Sequence, residues 1–155
     1  MNLARGEWIR ALTAHPAPVL KALADELTVG CHVKFTSLPQ AGLGLLTLTD
    51  GAFHEAYYLG EFPLSTCCIE LALPDGRCAP GGAQVMADDA ELARALAILD
   101  AILAARFPGW ERVAAHIASG AEKRAEETRR RRAMLASTRV DFAMLNSAGE
   151  DEDED

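Results

Sequence analysis

An apolar run, a tight turn and a long amphipathic helix follow one another between Ser65 and Leu103, and few folds accommodate that succession. The nearly continuous apolar residues of 65–73 predict a strand that is buried on at least one face. Pro74-Asp75-Gly76 is typical of a chain reversal, because proline presets φ, aspartate can bond its own backbone and glycine accepts a positive φ. The sequence therefore predicts a β-hairpin whose returning strand covers residues 77–85.

The returning strand carries Pro80-Gly81-Gly82, a combination that weakens strand pairing. Proline cannot donate to the hydrogen-bond ladder, so the pattern predicts an edge strand or a bulge. The two glycines could also let a ligand approach the backbone closely. A lone pair of glycines is weak evidence for a ligand, and the edge strand or bulge is the preferred interpretation.

A long helix is predicted directly after the hairpin. Asp88 and Asp89 stand where an N-cap belongs, because an aspartate side chain can accept a hydrogen bond from the first turn. Leucines then recur at steps of four, three and four, which aligns them on one side, and alanines line the other side. The leucines are Leu92, Leu96, Leu99 and Leu103, and the alanines are Ala93, Ala97, Ala101 and Ala104. Such a helix can pack on two sides at once.

The first part of the chain predicts two short amphipathic helices followed by strands. Trp8 and Leu12 lie on the first helix, which must stop before Pro16, and Gly30 ends the second helix. Strands are predicted at residues 31–38, 44–49 and 53–59, with turns at residues 39–42 and 50–51 and a break at residues 60–63. With the hairpin they form an antiparallel meander of about five strands.

A last helix is predicted from Trp110 onward. Its apolar signal fades after Gly120, and residues 121–132 are charged around the whole circumference. This pattern is typical of a helix that projects into solvent or lies against another protein. Apolar side chains return between Met134 and Leu145. The predicted fold class is α+β: a single domain over residues 1–148, with the meander packed by two N-terminal and two C-terminal helices, and an acidic, disordered tail over residues 149–155.

The charge balance and hydropathy exclude several classes of partner. The formal net charge is -8, and residues 150–155 are all acidic, so the rest of the chain is close to neutral and has no basic field for nucleic acid. The N-terminal residues lack the apolar core of a signal peptide, and no apolar run reaches the ~18 residues that span a bilayer. We therefore expect a cytoplasmic protein that binds neither nucleic acid nor membranes and whose cysteines stay reduced.

The sequence carries no recognisable catalytic motif: GxxxxGK(S/T), a GxGxxG after a strand, HExxH and GxSxG are all missing. One alternative stays open, in which His32 or His54 pairs with Cys67 across neighbouring strands and the chain is a stand-alone small hydrolase or transferase. Adjacent Cys67 and Cys68 point to opposite faces of a strand, so we predict no metal site. No cofactor is predicted for this chain.

Four consecutive arginines at residues 129–132, with Arg139 downstream, form the one basic concentration. Guanidinium groups suit phosphate or carboxylate in bidentate geometry. Consecutive residues on a helix fan out in different directions, so only some of the four can converge on one anion. Solvated pairing, a protein interface and a phosphorylated ligand all stay open, and Arg129 and Arg131 are the candidate contacts for a substrate phosphate.

Two blocks of the sequence together carry a family resemblance. One runs from Gly60 through the strand and the Asp75-Gly76 turn to Ala97-Ile98-Leu99-Asp100-Ala101, and the other is Ser137-Thr138-Arg139-Val140-Asp141-Phe142. They resemble PhnG, the G subunit of the bacterial carbon-phosphorus lyase core complex. The resemblance extends from Trp8 to Phe142.

The resemblance implies a subunit of a transferase assembly, the ribose 1-methylphosphonate 5-triphosphate synthase. Its implied partners are the H, I and J subunits and an ATP-binding protein, and its substrates are a purine nucleoside triphosphate and an alkylphosphonate. The reactive centres of that assembly are attributed to the I and J subunits, so no catalytic residues are expected here. We expect the apolar segment beyond the charged helix to dock on a partner subunit through Thr138, Arg139, Val140, Asp141 and Phe142.

Overall fold

A three-stranded antiparallel sheet and four helices form the fold in the computed structural model, which describes residues 3–137. In chain order the elements are α1 (Arg5–Leu12), α2 (Ala17–Leu27), β1 (His32–Thr49), β2 (Ala56–Ala72), β3 (Cys78–Val85), α3 (Ala90–Ala105) and α4 (Trp110–Ser137). β2 lies between β1 and β3 and pairs antiparallel with both. The predicted α+β class is confirmed.

The β2–β3 hairpin forms as the sequence predicts. The Leu73 N–H donates to the Arg77 carbonyl at 2.8 Å, and the Gly76 N–H donates to the Leu73 carbonyl at 3.0 Å. Gly76 takes a φ of +87°. The hydrogen bond from the Arg77 side chain is the main reason why the pKa of Asp75 is lowered. The turn is therefore specified by the residues that it contains.

The prediction of five strands is wrong for the described residues, which form three. The first two predicted strands are continuous in β1, and the third and fourth are continuous in β2. Pro39 does not end β1, because it lies on an edge strand where the register shifts between Ser37 and Gln40. Pro63 precedes Ser65 in β2, and β2 pairs with β3 only from Ser65 onward. In both strands the ladder tolerates the proline because a neighbour is missing on one side.

α3 is the centre of the hydrophobic core and is buried nearly all round. The Asp89 carboxylate accepts the Leu92 N–H at 2.9 Å, so the predicted N-cap is confirmed. Of the leucines and alanines predicted to line its two sides, only Ala104 is exposed. The others are buried: Leu92, Leu96, Leu99, Leu103, Ala93, Ala97 and Ala101. The predicted packing of this helix on two sides is confirmed.

α3 touches the backbone of β3 at Gly81. A Cβ at this position would lie 2.1 Å from the Ala97 carbonyl oxygen and 2.8 Å from the Ala101 Cβ. β3 is an edge strand, as predicted, and it pairs with β2 continuously from Cys78 to Val85 without a bulge. The glycine therefore serves close helix packing, and the helix occupies the space that a ligand would need on that side.

α1 and α4 cross at Gly120. A Cβ there would lie 2.1 Å from the Ala11 carbonyl oxygen, so the two helix backbones are in contact. Val113 and Ile117 are buried earlier in α4, and no residue between Gly120 and Ser137 is buried. The predicted loss of apolar packing after Gly120 is confirmed, and the second half of α4 presents charged side chains on most of its surface.

Asp100 fastens α1 and β3 to α3. Its carboxylate is almost fully buried and accepts hydrogen bonds from Arg5 Nε at 2.9 Å, Arg5 Nη2 at 2.7 Å and the Gly82 N–H at 3.0 Å. The hydrogen bond to Asp100 also raises the pKa of Arg5. The signal available in the sequence was one carboxylate, Asp100, among the otherwise apolar residues 95–105 of the helix.

Candidate interaction surfaces

β1 and β2 continue beyond the end of β3 as a two-stranded ribbon, residues 42–64, which we call the β arm. The last pair between β2 and β3 joins Ser65 to Val85. β1 and β2 stay paired from Gly42 with Leu64 out to Thr49 with Ala56. None of residues 42–64 belongs to the hydrophobic core or packs against it. The β arm thus extends past the part of the sheet that the helices cover.

The β arm exposes a large amount of apolar side chain. It carries eight of the fifteen large hydrophobic residues that are exposed in the described part of the chain. Phe53 is 81% exposed, Tyr58 is 71% exposed and Leu43 is 68% exposed. Exposed apolar side chains concentrated in this way make the β arm a candidate interaction surface. The eight residues are Leu43, Leu45, Leu46, Leu48, Phe53, Tyr57, Tyr58 and Leu59.

Both faces of the β arm are apolar. Side chains alternate between faces along a strand, so Leu43 and Leu45 lie on one face of β1 while Leu46 and Leu48 lie on the other. Tyr57 pairs opposite Leu48 and adds to the second face. A two-stranded ribbon is at best marginally stable in water unless one face packs on something. Each face of the β arm is therefore suited to packing against another protein.

The tip of the β arm is held together by Asp50. The Asp50 carbonyl accepts the His54 N–H at 3.0 Å, and its carboxylate accepts the Phe53 N–H at 2.7 Å. The predicted turn at residues 50–51 is confirmed. Asp50, Glu55 and Glu61 are the charged residues of the arm, which contains no lysine or arginine. The complementary surface is therefore apolar with a neutral or basic rim.

A second surface, which we call the arginine groove, lies between α1 and the second half of α4. It has a volume of about 380 Å³ and combines small apolar side chains with four arginines from the two helices. The groove could not be predicted from local sequence, because Arg10 comes from the opposite end of the chain to the three arginines of α4. Its lining residues are Leu3, Glu7, Arg10, Ala11, Ala121, Arg124, Ala125, Thr128, Arg129 and Arg132.

The four arginines of the groove differ in what they already bind. Arg124 donates to the Arg10 carbonyl at 3.3 Å and to the Thr13 carbonyl at 3.0 Å, which ties α4 to the C-terminal end of α1. Arg129 pairs with Glu126 one turn earlier. The side chains of Arg10 and Arg132 have no partner among residues 3–137. Two guanidinium groups are therefore available to an anion.

Arg129 and Arg131, the predicted phosphate contacts, face different sides of α4. Residues two apart on a helix are separated by ~200°. Arg129 lines the arginine groove, whereas Arg131 lies outside it and pairs with Glu127 at 3.2 Å. The structure brings Arg129 together with Arg10 and Arg132 instead. A contact of Arg129 or Arg131 with a phosphate stays a prediction.

The alternative His–Cys dyad is wrong. Cys67 is fully buried on the face that α3 covers, and burial raises the pKa of its thiol. His32 pairs with Ala72, which lies five residues from Cys67 along β2, or ~16 Å at the rise of a strand. His54 lies in the turn at the tip of the β arm. Neither histidine can reach the thiol, because His32 lies at one end of the long strands, His54 lies at the other end, and Cys67 lies between them.

Several other predictions concern absences or residues outside the described range. No group of three or more His, Cys, Asp or Glu residues in the described range 3–137 could hold a metal ion. Over the same range, no helix combines the length and apolar character needed to traverse a bilayer. Thr138, Arg139, Val140, Asp141 and Phe142 lie outside the described residues, as does the acidic tail. Their roles stay predictions.

The fold and surfaces define a small α+β protein with an exposed apolar β arm and a basic groove between two helices. The chain belongs to the family described as phosphonate metabolism protein PhnG, whose family model matches residues 3–146. The resemblance seen in the sequence is confirmed, and the protein acts in phosphonate metabolism. No curated protein matches the chain.

Proposed function

We propose that this chain is a non-catalytic or site-completing subunit of a carbon-phosphorus lyase complex. That assembly transfers an alkylphosphonate to the ribose of a purine nucleoside triphosphate and releases the base. The reacting groups lie on other chains, and the H, I and J subunits and an ATP-binding protein are the proposed partners. The observation that carries the proposal is the β arm, whose two apolar faces have no cover among residues 3–137.

The exposed side chains of the β arm contribute favourably to association when a partner covers them. Burying one large apolar side chain contributes about 1.5–3 kcal/mol. Covering four of the eight exposed side chains would then contribute about 6–12 kcal/mol before the entropy lost on association is subtracted. Association costs about 4–15 kcal/mol, so this gain is of the same size as the cost and further contacts must add to it. The arm therefore supplies a substantial part of the energy that docking on another subunit requires.

The backbone of the β arm adds a second means of binding. β1 is an edge strand along its whole length, and β2 has no neighbour on the β3 side between Ala56 and Leu64. Free strand edges can accept a strand from another protein, which supplies main-chain hydrogen bonds. The same partner can thus pack on the faces of the arm and add a strand at its edges.

Charge substitution on the β arm tests the proposal. A tagged Leu45→Glu, Tyr58→Glu variant should recover the H, I and J subunits at a yield reduced about 10-fold or more, because two carboxylates enter an apolar interface. Both side chains are exposed, so the fold should be unaffected. Circular dichroism and thermal unfolding of the isolated chain check this.

Val29→Glu provides the matched control for the arm. Val29 is 82% exposed and lies outside residues 42–64, so this variant should recover the partners at the wild-type yield. Wild-type recovery by the double arm variant would contradict a docking role for the arm. A loss in the Val29→Glu variant equal to that of the arm variant would contradict it as well.

The segment after α4 is proposed as a second docking element. Thr138, Arg139, Val140, Asp141 and Phe142 combine two apolar side chains with two charges that can set the register on a partner subunit. A Val140→Asp, Phe142→Ala variant should lose co-purification with the partners. Recovery of the partners at wild-type yield would show that the segment does not dock.

A site-completing role would place a basic side chain on the triphosphate of the nucleotide in the assembled complex. Arg129 and Arg131 are the proposed residues, and α4 presents them on different sides. Arg129→Ala and Arg131→Ala should therefore be assembled and measured separately. The variant that contacts the triphosphate should weaken nucleotide binding by the complex, and unchanged affinity in both variants would exclude this role.

A further inference from the structure

The two edges of the sheet differ in how their main-chain groups are satisfied. At the β3 edge, the Gly82 N–H donates to the Asp100 carboxylate at 3.0 Å, and Arg5 donates to the Pro80 carbonyl at 3.3 Å. Pro80 itself has no N–H to offer. A strand from another protein would have to displace the ion pair of Arg5 with the buried Asp100. The β3 edge is therefore closed to strand addition.

The β1 edge lacks this protection along the arm. In the described part of the chain, no strand pairs with β1 on the side away from β2. Edge strands usually avoid association through charged side chains, proline or a bulge. Residues 32–39 carry Lys34, Pro39 and two shifts of register in which β1 has the extra residue. Residues 40–49 contain neither charge nor proline, and their one shift skips Leu59 of β2 and leaves β1 regular.

The register shows which groups of β1 point into the open edge. N–H groups alternate in direction along an antiparallel strand. The hydrogen bond from the Leu73 N–H to β3 therefore turns Leu64 towards β1, where it pairs with Gly42. Farther out, the Asp50 N–H donates to the Glu55 carbonyl at 2.8 Å. Every second residue between these two points faces β2, and the others direct N–H and C=O into the open edge. The outward residues are Ala41, Leu43, Leu45, Thr47 and Thr49.

We propose that residues 41–49 of β1 bind an extended segment of a partner subunit as an additional strand. The inference rests on the proposed function, because it states how a partner holds the β arm. The added strand would exchange main-chain hydrogen bonds with the outward residues of β1. It would also convert the two-stranded ribbon into a three-stranded sheet, which is the smallest size that is independently stable.

The side chains of the β arm restrict the chemistry of that segment. Both faces of the arm are apolar, so the added strand would carry apolar side chains on both faces, next to those of β1. The charged residues of the arm are Asp50, Glu55 and Glu61, all of them acidic. A segment that also carries lysine or arginine complements them. A second copy of the arm offers only the same acidic residues, so the occupant is a basic segment of another subunit.

Proline at an outward position tests strand addition. Thr47 is exposed and is not one of the eight apolar side chains of the arm. Thr47→Pro removes an outward N–H and leaves the hydrogen bonds to β2 in place. A tagged Thr47→Pro variant should recover the H, I and J subunits at a yield reduced about 10-fold or more. Thr47→Ala keeps the N–H and should stay within about twofold of the wild type.

Gln84→Pro is the matched control at the closed edge. Gln84 is exposed and lies two residues after Gly82, so its N–H also points away from β2. This variant should recover the partners within about twofold of the wild type, because β3 binds no added strand. Circular dichroism and thermal unfolding check each isolated variant. Ala41→Pro, with the same expected loss, replaces Thr47→Pro if that variant does not fold.

Charge reversal tests the chemistry of the bound segment. Glu61→Lys should reduce recovery of the partners about 5-fold or more, because it places like charge beside the basic segment. Glu111→Lys makes the same change at an exposed position of α4 and should stay within about twofold of the wild type. In analytical ultracentrifugation the isolated chain should show no dimer that Thr47→Pro dissociates.

Four results would overturn the proposal. Equal recovery by Thr47→Pro and Thr47→Ala would exclude strand addition, and a loss in Leu45→Glu, Tyr58→Glu would then still support docking on the faces of the arm. Wild-type recovery by that double variant as well would remove the proposed function along with the inference. A loss in Gln84→Pro equal to that in Thr47→Pro would refute the difference between the edges. Wild-type recovery by Glu61→Lys would exclude a basic segment, and a dimer that Thr47→Pro dissociates would make a second copy the occupant.

Discussion

At Asp100 three elements meet on one side chain. The carboxylate is 5% exposed and accepts two hydrogen bonds from Arg5 of α1 and one from the Gly82 N–H of β3. A buried carboxylate is stable only when its acceptor sites are satisfied. The arrangement therefore ties the N-terminal helix and the edge strand to the core helix through one residue.

Replacing Asp100 by alanine should lower the free energy of unfolding by about 2–4 kcal/mol, because Arg5 and the Gly82 N–H lose their acceptor. Urea denaturation measures the change. Asp25→Ala is the control, since Asp25 pairs with Arg94 at the exposed surface and should change stability by less than about 0.5 kcal/mol. Similar losses in the two variants would contradict the role given to Asp100.

Asp89 should make stability depend on pH in the acid range. The hydrogen bond from Lys21, at 2.8 Å, is the main reason why the pKa of Asp89 lies below its usual value of 3.8. A lowered pKa means that this contribution is fully present above the usual value and is lost as the pH falls through the lowered one. Asp89→Asn keeps a capping side chain but cannot titrate.

The test is the free energy of unfolding of the wild type and of Asp89→Asn, measured by urea denaturation across the acid range. The difference between them should shrink as the pH falls, because protonation removes the Lys21 pair from the wild type. Asp89→Ala should in addition lose about 1 kcal/mol at neutral pH through loss of the N-cap. A difference that does not change with pH would exclude the ionised pair as its source.

At the scale of elements, α3 and β3 are held in backbone contact by a single glycine. Gly81 faces the Ala97 carbonyl, whereas the neighbouring Gly82 has only the Cys68 Sγ near a Cβ position, at 3.7 Å. A Cβ atom therefore fits at Gly82 but not at Gly81. The small side chains of Ala97 and Ala101 complete the close approach from the side of the helix.

Gly81→Ala should lower the free energy of unfolding by about 1–3 kcal/mol, because α3 must move away from the sheet to admit a methyl group. Gly82→Ala is a matched control, since its methyl group would meet an ordinary van der Waals contact. Its effect should stay below about 0.5 kcal/mol. Thermal or urea unfolding of the pair measures the difference, and equal stability of the two variants would contradict the helix contact.

The hairpin, the capped helix and the loss of packing after Gly120 were predictable from the sequence, because each depends on residues close together in the chain. The strand count was not. Pro39 and Pro63 look like strand ends when only local propensity is considered. They are tolerated because one side of the ladder is unoccupied at each position, and that is a property of strand order.

For the whole molecule, the β arm and the helical body should differ in stability. Residues 42–64 have no packing against the core, so their amides should open more readily than those of the buried part of β2. The chain thus combines a stable core with a marginal ribbon. This division is expected of a protein that completes its packing on a partner.

Hydrogen exchange should show the amides of the β arm exchanging at least about 100-fold faster than those near Ile69 in the isolated chain. Adding the H, I and J subunits should protect the arm, while the amides of α3 serve as the control and stay unchanged. Arm amides that exchange as slowly as core amides in the isolated chain would contradict this description. Unchanged exchange in the assembled complex would argue against docking through the arm.

The sequence by itself determined the α+β class, the strand–turn–helix unit and the family, because these follow from local turn chemistry, residue periodicity and short motifs. Tertiary structure alone decided that β1 and β2 run past β3 to leave an apolar ribbon exposed. It also decided that Arg10 meets Arg132 in one groove and that His32 and Cys67 stay far apart. Those outcomes depend on strand register and helix crossing, which bring together residues from distant parts of the chain.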